Sequence, residues 1–255
     1  MVSGLLLVTS LCFQLSGVQT ASTGFRPNTP AATPAQSPAN ITVEMRGDIF
    51  MARKMYRDAI EMYKTGPADS PVLANKIGIG YHQLLDLATA KKYYNRAVKL
   101  RPDYAEAINN LGTIYYAGKS YRQAIKLYQK ALRLEPDSAS ILSNLGTGYF
   151  ARKNFELAFD AYQKALALDP DVFEHRSSMG VLLQERSVED RAKFHYYVAK
   201  TYAKAGDIEH ALMYIRKSLE EGFKERDKFK QDPEFSAVRK NPEFDLIFTA
   251  ERKAL

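Results

Sequence analysis

The sequence predicts an all-α array of paired helices, and three observations carry that reading. One pattern of small residues, rings and prolines recurs at a fixed period. Each copy reads as a helix, a short turn near Gly or Asn, and a second helix that a proline ends. Cys12 is the single cysteine of 255 residues, so neither an internal disulfide framework nor a zinc site of several cysteines holds the fold together. At 45% hydrophobic and 25% charged residues, the chain has the composition of a folded protein.

Residues 1–21 carry no charge, and residues 4–17 form an apolar run of the length of a signal-peptide core, too short to span a bilayer comfortably. No basic residue precedes the run and no A-x-A site follows it, but the small residues around Thr20, Ala21 and Ser22 suit cleavage. The expectation is an exported protein, periplasmic or secreted, or one anchored to a membrane by its N-terminus if the segment stays attached. Residues 22–41 follow as a linker. Pro27, Pro30, Pro34 and Pro38 recur there among Ala, Ser and Thr, with almost nothing apolar to bury, which predicts a disordered spacer.

The repeat begins after it. Ile77-Gly78, Tyr81, Ala90, Tyr94, Ala97 and Pro102 form one copy. The same residue types return at Leu111-Gly112, Tyr115, Ala124, Tyr128, Ala131 and Pro136. They return again at Leu145-Gly146, Tyr149, Ala158, Tyr162, Ala165 and Pro170, a period of 34 residues at each step. In the middle copy the first helix is expected over 105–117 and the second over 121–134. Gly112 and Ala124 are small enough for the two to approach closely, and the tyrosines fill the spaces left. An earlier copy, with Gly47, Phe50, Ala59, Tyr63 and Pro71, keeps the internal spacing but sits 31 residues before the next, so its joint at Gly66-Pro67 is tighter. Ser70-Pro71 reads as an N-cap and first helical residue.

These positions resemble the signature sites of the tetratricopeptide repeat. The resemblance implies a right-handed α-solenoid of about five helix pairs, with four units in 42–172. A divergent fifth unit is expected in 173–222. There Met179-Gly180 and Leu183 look like a first helix, while Ala192, Tyr196 and Ala199 fall at second-helix positions. The helix over 188–204 also reads as a first helix, through Ala199, Tyr202 and Gly206 followed by Ala211 and Ser218, so it is expected between helices 173–186 and 207–221. In 223–255, Asp232-Pro233-Glu234-Phe235 and Asn241-Pro242-Glu243-Phe244 each start a short helix. They would close the array with the polar-faced cap that a solenoid needs.

The family's first helices line a concave groove that binds extended peptides or partner helices. Carried onto this chain, that pattern selects Asn75, Ile79 and His82, then Asn109, Asn110, Thr113 and Tyr116, then Ser143, Asn144, Thr147 and Phe150. His82, Tyr116 and Phe150 share one register and are expected to form a ladder of rings; Asn110 and Asn144 are expected to form a ladder of amides that bond a peptide backbone without reading its side chains. The family's carboxylate clamp needs Lys and Arg where this chain has Asn75, Ile79, Ser140 and Asn144, so that activity is not expected.

No phosphate loop, nucleophile elbow or H-E-x-x-H is present, and His82, His175, His195 and His210 lack metal-ligand spacing. No enzyme activity, metal or cofactor is therefore expected. The net charge of +7 is too mixed to argue for a specific nucleic acid, although Lys91, Lys92, Arg96 and Lys99 and then Lys126, Lys130 and Arg133 make second helices basic enough for weak contact with an anionic surface. The function expected is that of an adaptor or scaffold holding a protein or peptide partner, in cell-envelope or secretory assembly. Its rivals are self-association and service as the regulatory subunit of an enzyme complex.

Overall fold

The computed structural model describes residues 41–174 and 187–252, all-helical with no strand among them. The expected signal segment, all but the last residue of the linker, and most of the helix over 173–186, with Met179, Gly180 and Leu183, lie outside the described residues. Four helix pairs follow one another: α1 (Val43–Ala52) and α2 (Tyr56–Lys64), α3 (Pro71–Gln83) and α4 (Leu87–Leu100), α5 (Ala105–Ala117) and α6 (Tyr121–Leu134), α7 (Ala139–Ala151) and α8 (Phe155–Leu168). Then come α9 (Val188–Ala205) and α10 (Ile208–Glu220). The end is α11 (Lys228–Gln231), two 3₁₀ turns over Pro233–Ser236 and Val238–Lys240, and α12 (Pro242–Arg252). Each helix packs on its pair partner, and each second helix on the first helix of the next pair.

The pairs are close because a glycine of the first helix faces a tyrosine ring of the second. A Cβ added to Gly78, Gly112 or Gly146 would lie 2.6, 2.6 or 2.5 Å from ring atoms of Tyr94, Tyr128 or Tyr162, and one on Gly47 would lie 2.1 Å from Tyr63. Those four rings are at most 1% exposed. The α9–α10 pair varies the device. Counted back from its turn, Ala199 holds the glycine register and Ile215 the tyrosine register, both fully buried. A larger first-helix residue thus goes with a smaller one on the second helix.

Each turn inside a pair closes in the same way. In the third pair the Ser120 amide donates to the Tyr115 carbonyl at 2.9 Å and the Lys119 amide to the Tyr116 carbonyl at 2.8 Å. This Schellman arrangement puts its next-to-last residue in the left-handed region, where glycine is favoured. Gly206 fills that place in the last pair with φ 84°, but Lys54, Leu85, Lys119 and Lys153 fill it in the first four, with φ from 58° to 62°. Each such side chain costs about 1 kcal/mol there.

The α9 helix differs from a regular first helix in direction. Tyr197 stacks on Phe155, the first residue of α8, at 5.2 Å, while Lys204 reaches Gln163 and Tyr202 donates to the Pro170 carbonyl at 3.2 Å. So α9 runs parallel to α8, as a second helix would, and pairs with α10 as a first helix would. The first-helix register of 188–204 is met by the pairing with α10, and most of the helix expected opposite its second-helix register, over 173–186, lies outside the described residues.

The tail closes the α9–α10 end. Phe229, Phe235 and Val238 are fully buried. Tyr196 stacks on Phe223 at 4.8 Å and hydrogen-bonds Asp232, which with Glu234 also pairs with Lys200 at 3.2 and 3.4 Å. Each buried phenylalanine contributes about 1.5–3 kcal/mol relative to an exposed one, so a segment with little regular structure holds firmly. The Asn241 side chain caps α12 by accepting from the Glu243 amide at 2.9 Å.

The glycine–tyrosine contact makes a direct prediction. Gly112→Ala gains helix propensity of about 1 kcal/mol but forces the Tyr128 ring aside, and overpacking of that kind costs about 1–3 kcal/mol. Thermal unfolding of Gly112→Ala is expected below wild type. Gly118→Ala, where a Cβ meets nothing nearer than 3.6 Å, is expected to leave it nearly unchanged.

Candidate functional site

The first helices carry the residues that the groove pattern selects, but most of them serve the interior. Asn75 is fully buried and accepts from the Asn110 amide at 3.1 Å; Asn109, 7% exposed, accepts from the Asn144 amide at 3.0 Å. The Asn110 and Asn144 amides therefore bond other asparagines across successive repeat joints, in place of the expected ladder open to a peptide backbone. Losing one such partner would leave a buried amide unsatisfied, at about 1–3 kcal/mol. Thr113 donates to the Asn110 carbonyl at 2.7 Å, Thr147 meets the Tyr162 hydroxyl at 3.3 Å, and Ser143 is buried. At the first joint the link is ionic. Lys76 binds Asp48 at 2.6 Å and Glu44 at 3.1 Å, and the Tyr63 hydroxyl donates to Asp48 at 2.7 Å.

The three rings of the shared register do not form an exposed row. His82, half-buried, lies edge-on to Tyr94 at 6.3 Å; Tyr116 rests on Tyr121 at 5.2 Å; Phe150 joins Phe155, Phe194 and Tyr197 at 5.3–6.0 Å. Tyr116 and Phe150 are only 5% and 3% exposed. In the third and fourth pairs the physical reason is the turn: the ring near the end of the first helix folds onto the ring that opens the second, whereas His82 packs on Tyr94 in mid-α4 because α4 opens with Leu87. Ile79 remains half-buried on α3.

What stays open is a cavity of about 420 Å³ at the end of the third and fourth pairs. Tyr116, Tyr121, Phe150 and Phe155 wall it, Ala151 lies in its lining, and Lys153, Lys193, Glu189, Asp190 and Ser187 complete its rim. The volume lies within the range of pockets that take a ligand or an anchoring side chain, and aromatic walls with a few polar groups are what such pockets use. Of the residues selected by sequence, only Tyr116 and Phe150 reach it. Tyr121 and Phe155, which open α6 and α8, are 34 residues apart, so periodicity offered a signal for them. The α9 residues offered none, because they arrive through the direction of that helix. A second cavity of about 440 Å³ shares Tyr121 and is lined by Lys119, Ser120, Arg122, Gln123, Lys126 and Arg152, with no acidic residue.

Among the described residues no three His, Cys, Asp or Glu side chains are grouped to hold a metal ion, and no helix is long and apolar enough to cross a membrane.

Two histidines and one carboxylate titrate away from their ordinary values. Burial lowers the His82 imidazole, and it lowers His195 by more than the neighbouring Glu221 raises it. Asp48 is opposed by burial, yet the bonds from Lys76 and Tyr63 outweigh that and hold its carboxyl below the usual range. For a histidine lowered on folding, the unfolded chain binds more protons between the two values, so stability rises with pH and is lost on acidification through about 6.5. For a lowered carboxylate the loss comes as pH falls below about 3.9. Denaturant unfolding is expected to show less stability at about pH 5.5 than at about 7.5, and His82→Phe is expected to shrink that difference. An unchanged difference would remove His82 from the account.

The family model of the tetratricopeptide repeat matches residues 69–135 and 103–171. Among solved structures, a crystal structure of MamA is 21% identical with a TM-score of 0.46, covering 69% of this chain and 93% of that one. MamA from Desulfovibrio magneticus RS-1 is 20% identical with a TM-score of 0.48, covering 74% and 95%. The first TPR of Spaghetti (RPAP3), bound to an HSP90 peptide, is 26% identical with a TM-score of 0.42, covering 44% and 90%. No curated protein matches.

Proposed function

Because the chain is a tetratricopeptide repeat protein over residues 69–171, and such repeats are protein-interaction scaffolds, we propose that it binds a peptide segment of a partner without catalysis. The segment runs along the concave side past Ile79, Asn110 and Asn144 and places an apolar or aromatic side chain in the 420 Å³ cavity between Tyr121 and Phe155. That cavity is the observation that carries the reading. The interior has already consumed most other polar groups on the first helices, so affinity rests on one aromatic anchor more than on a backbone ladder. Buried walls hold the cavity open before a partner arrives, which lowers the ordering cost of binding.

Ala151 offers a test from the cavity wall, since it is half-buried in the lining at the margin of the core. The full chain is used to select from a displayed peptide library beside Ala151→Trp, which fills the cavity from its wall. Wild type is expected to enrich sequences with an aromatic or large aliphatic residue, and Ala151→Trp to lose them at unchanged unfolding temperature. Equal enrichment by both proteins would overturn the reading.

The apolar, uncharged run of residues 4–17 supports a place in the cell envelope or secretory route, where the scaffold serves assembly. N-terminal sequencing of protein taken from its native cells is expected to begin near Ser22. A chain beginning at Met1 or Val2 would reject export with cleavage.

A further inference from the structure

The four turns of the first four pairs lie on one edge of the array. A cavity joins α2 to the second turn through Arg57, Leu84 and Asp86; Lys91 of α4 sits 4.2 Å from the Tyr115 ring beside the third; and the basic cavity joins the third to the fourth. Their tips are Arg53-Lys54, Leu84-Leu85, Lys119 and Arg152-Lys153, all exposed, with Leu85 at 66%. No ion pair holds Lys54, Lys119, Arg122, Arg152 or Lys153 among the described residues. Carboxylates on the same edge are fewer than its cations and mostly engaged: Asp58 and Glu156 are exposed, Asp86 caps the Thr89 amide at 3.0 Å, Glu61 pairs with Lys64 at 2.8 Å, and Glu189, beside Lys153, pairs with Lys224 while its neighbour Asp190 bonds Ser187.

Backbone conformation makes this edge unusual. Lys54, Leu85, Lys119 and Lys153 all stand at positive φ, where Gly206 shows that glycine serves the same turn. Among the described residues none of the four side chains makes a hydrogen bond or ion pair that would compensate within the fold. Strain kept at one equivalent place in four successive units points outward, to what those side chains meet.

We propose that this turn edge is a peripheral docking surface for an anionic lipid bilayer, with the lysine tips meeting headgroups and Leu85 entering the interface. A row of hairpin tips suits a flat partner. Cations are attracted to the negative leaflet surface, each by a factor of about five, and an exposed aliphatic tip is favoured at the headgroup boundary. A nucleic acid offers phosphates to the lysines but no apolar layer to Leu85. This surface meets the aromatic cavity at the rim residue Lys153, so Leu85→Gly, at a residue that does not line that cavity, lets the two assignments fail separately.

The test uses the full chain and sedimentation with vesicles of phosphatidylcholine, with and without phosphatidylserine. Wild type is expected to prefer the phosphatidylserine vesicles, and salt to weaken that preference. The triple variant Lys54→Gly, Lys119→Gly, Lys153→Gly relieves three strained residues. It is expected to unfold at a higher temperature yet bind those vesicles about a hundredfold more weakly. Leu85→Gly is expected to unfold at a higher temperature and to bind up to about tenfold more weakly. A stabler protein that binds less cannot be explained by misfolding. The proposal is overturned if the triple variant binds like wild type, if wild type shows no preference for phosphatidylserine, or if a duplex DNA oligomer displaces the vesicles.

Discussion

A glycine on one helix against a tyrosine ring on the next is the contact on which the rest of this structure depends. It fixes how close the two helices of a pair lie, at a cost of about 1 kcal/mol of helix propensity per glycine. Burial of the ring offsets that cost. A buried phenol also needs a partner for its hydroxyl. Tyr63 donates to Asp48, Tyr94 meets His82 at 3.4 Å and Tyr162 meets Thr147. Each partner lies on the first helix within about a turn of the glycine. The packing of one pair therefore sets the chemistry of its own concave side.

The joints between pairs draw on the same helices. Asp48 with Lys76, Asn75 with Asn110 and Asn109 with Asn144 give each joint one polar link with a defined partner. Apolar contact alone would allow neighbouring units to slide, whereas a buried amide has one register in which it is satisfied. Polar side chains that look available for a ligand are committed to alignment. Open space is left where the repeat geometry changes, at the aromatic cavity beside the first turn of α9.

Much of the fold was legible because period and spacing report packing. The expected helices 105–117 and 121–134 coincide with α5 and α6, the expected start of α9 at 188 holds, and Asn241 caps α12. Identity of residue type was enough there, since a small residue opposite a ring has few other uses at a 34-residue period. The site was less legible. Position in the repeat marks which residues face the concave side, but not whether an inward tyrosine or a neighbouring asparagine has already engaged them. The direction of α9 was hidden as well, because a helix with small residues at both registers satisfies two orientations equally on paper.

The turns invite a last step. In a repeat array, stability is close to a sum over units and their nearest-neighbour interfaces. A cost of about 1 kcal/mol placed at one turn stays local to its unit, where a close-packed glycine–tyrosine pair absorbs it. The same total strain gathered in one unit would threaten that unit alone. Spreading lysine and leucine tips one to a repeat thus spares the fold while lining an edge with groups it does not need for itself. The last pair, which lies against the cap, has glycine at the corresponding place. Selection for stability alone would favour glycine at all five turns, so the difference between Gly206 and its four counterparts separates the demands of folding from those of the surface.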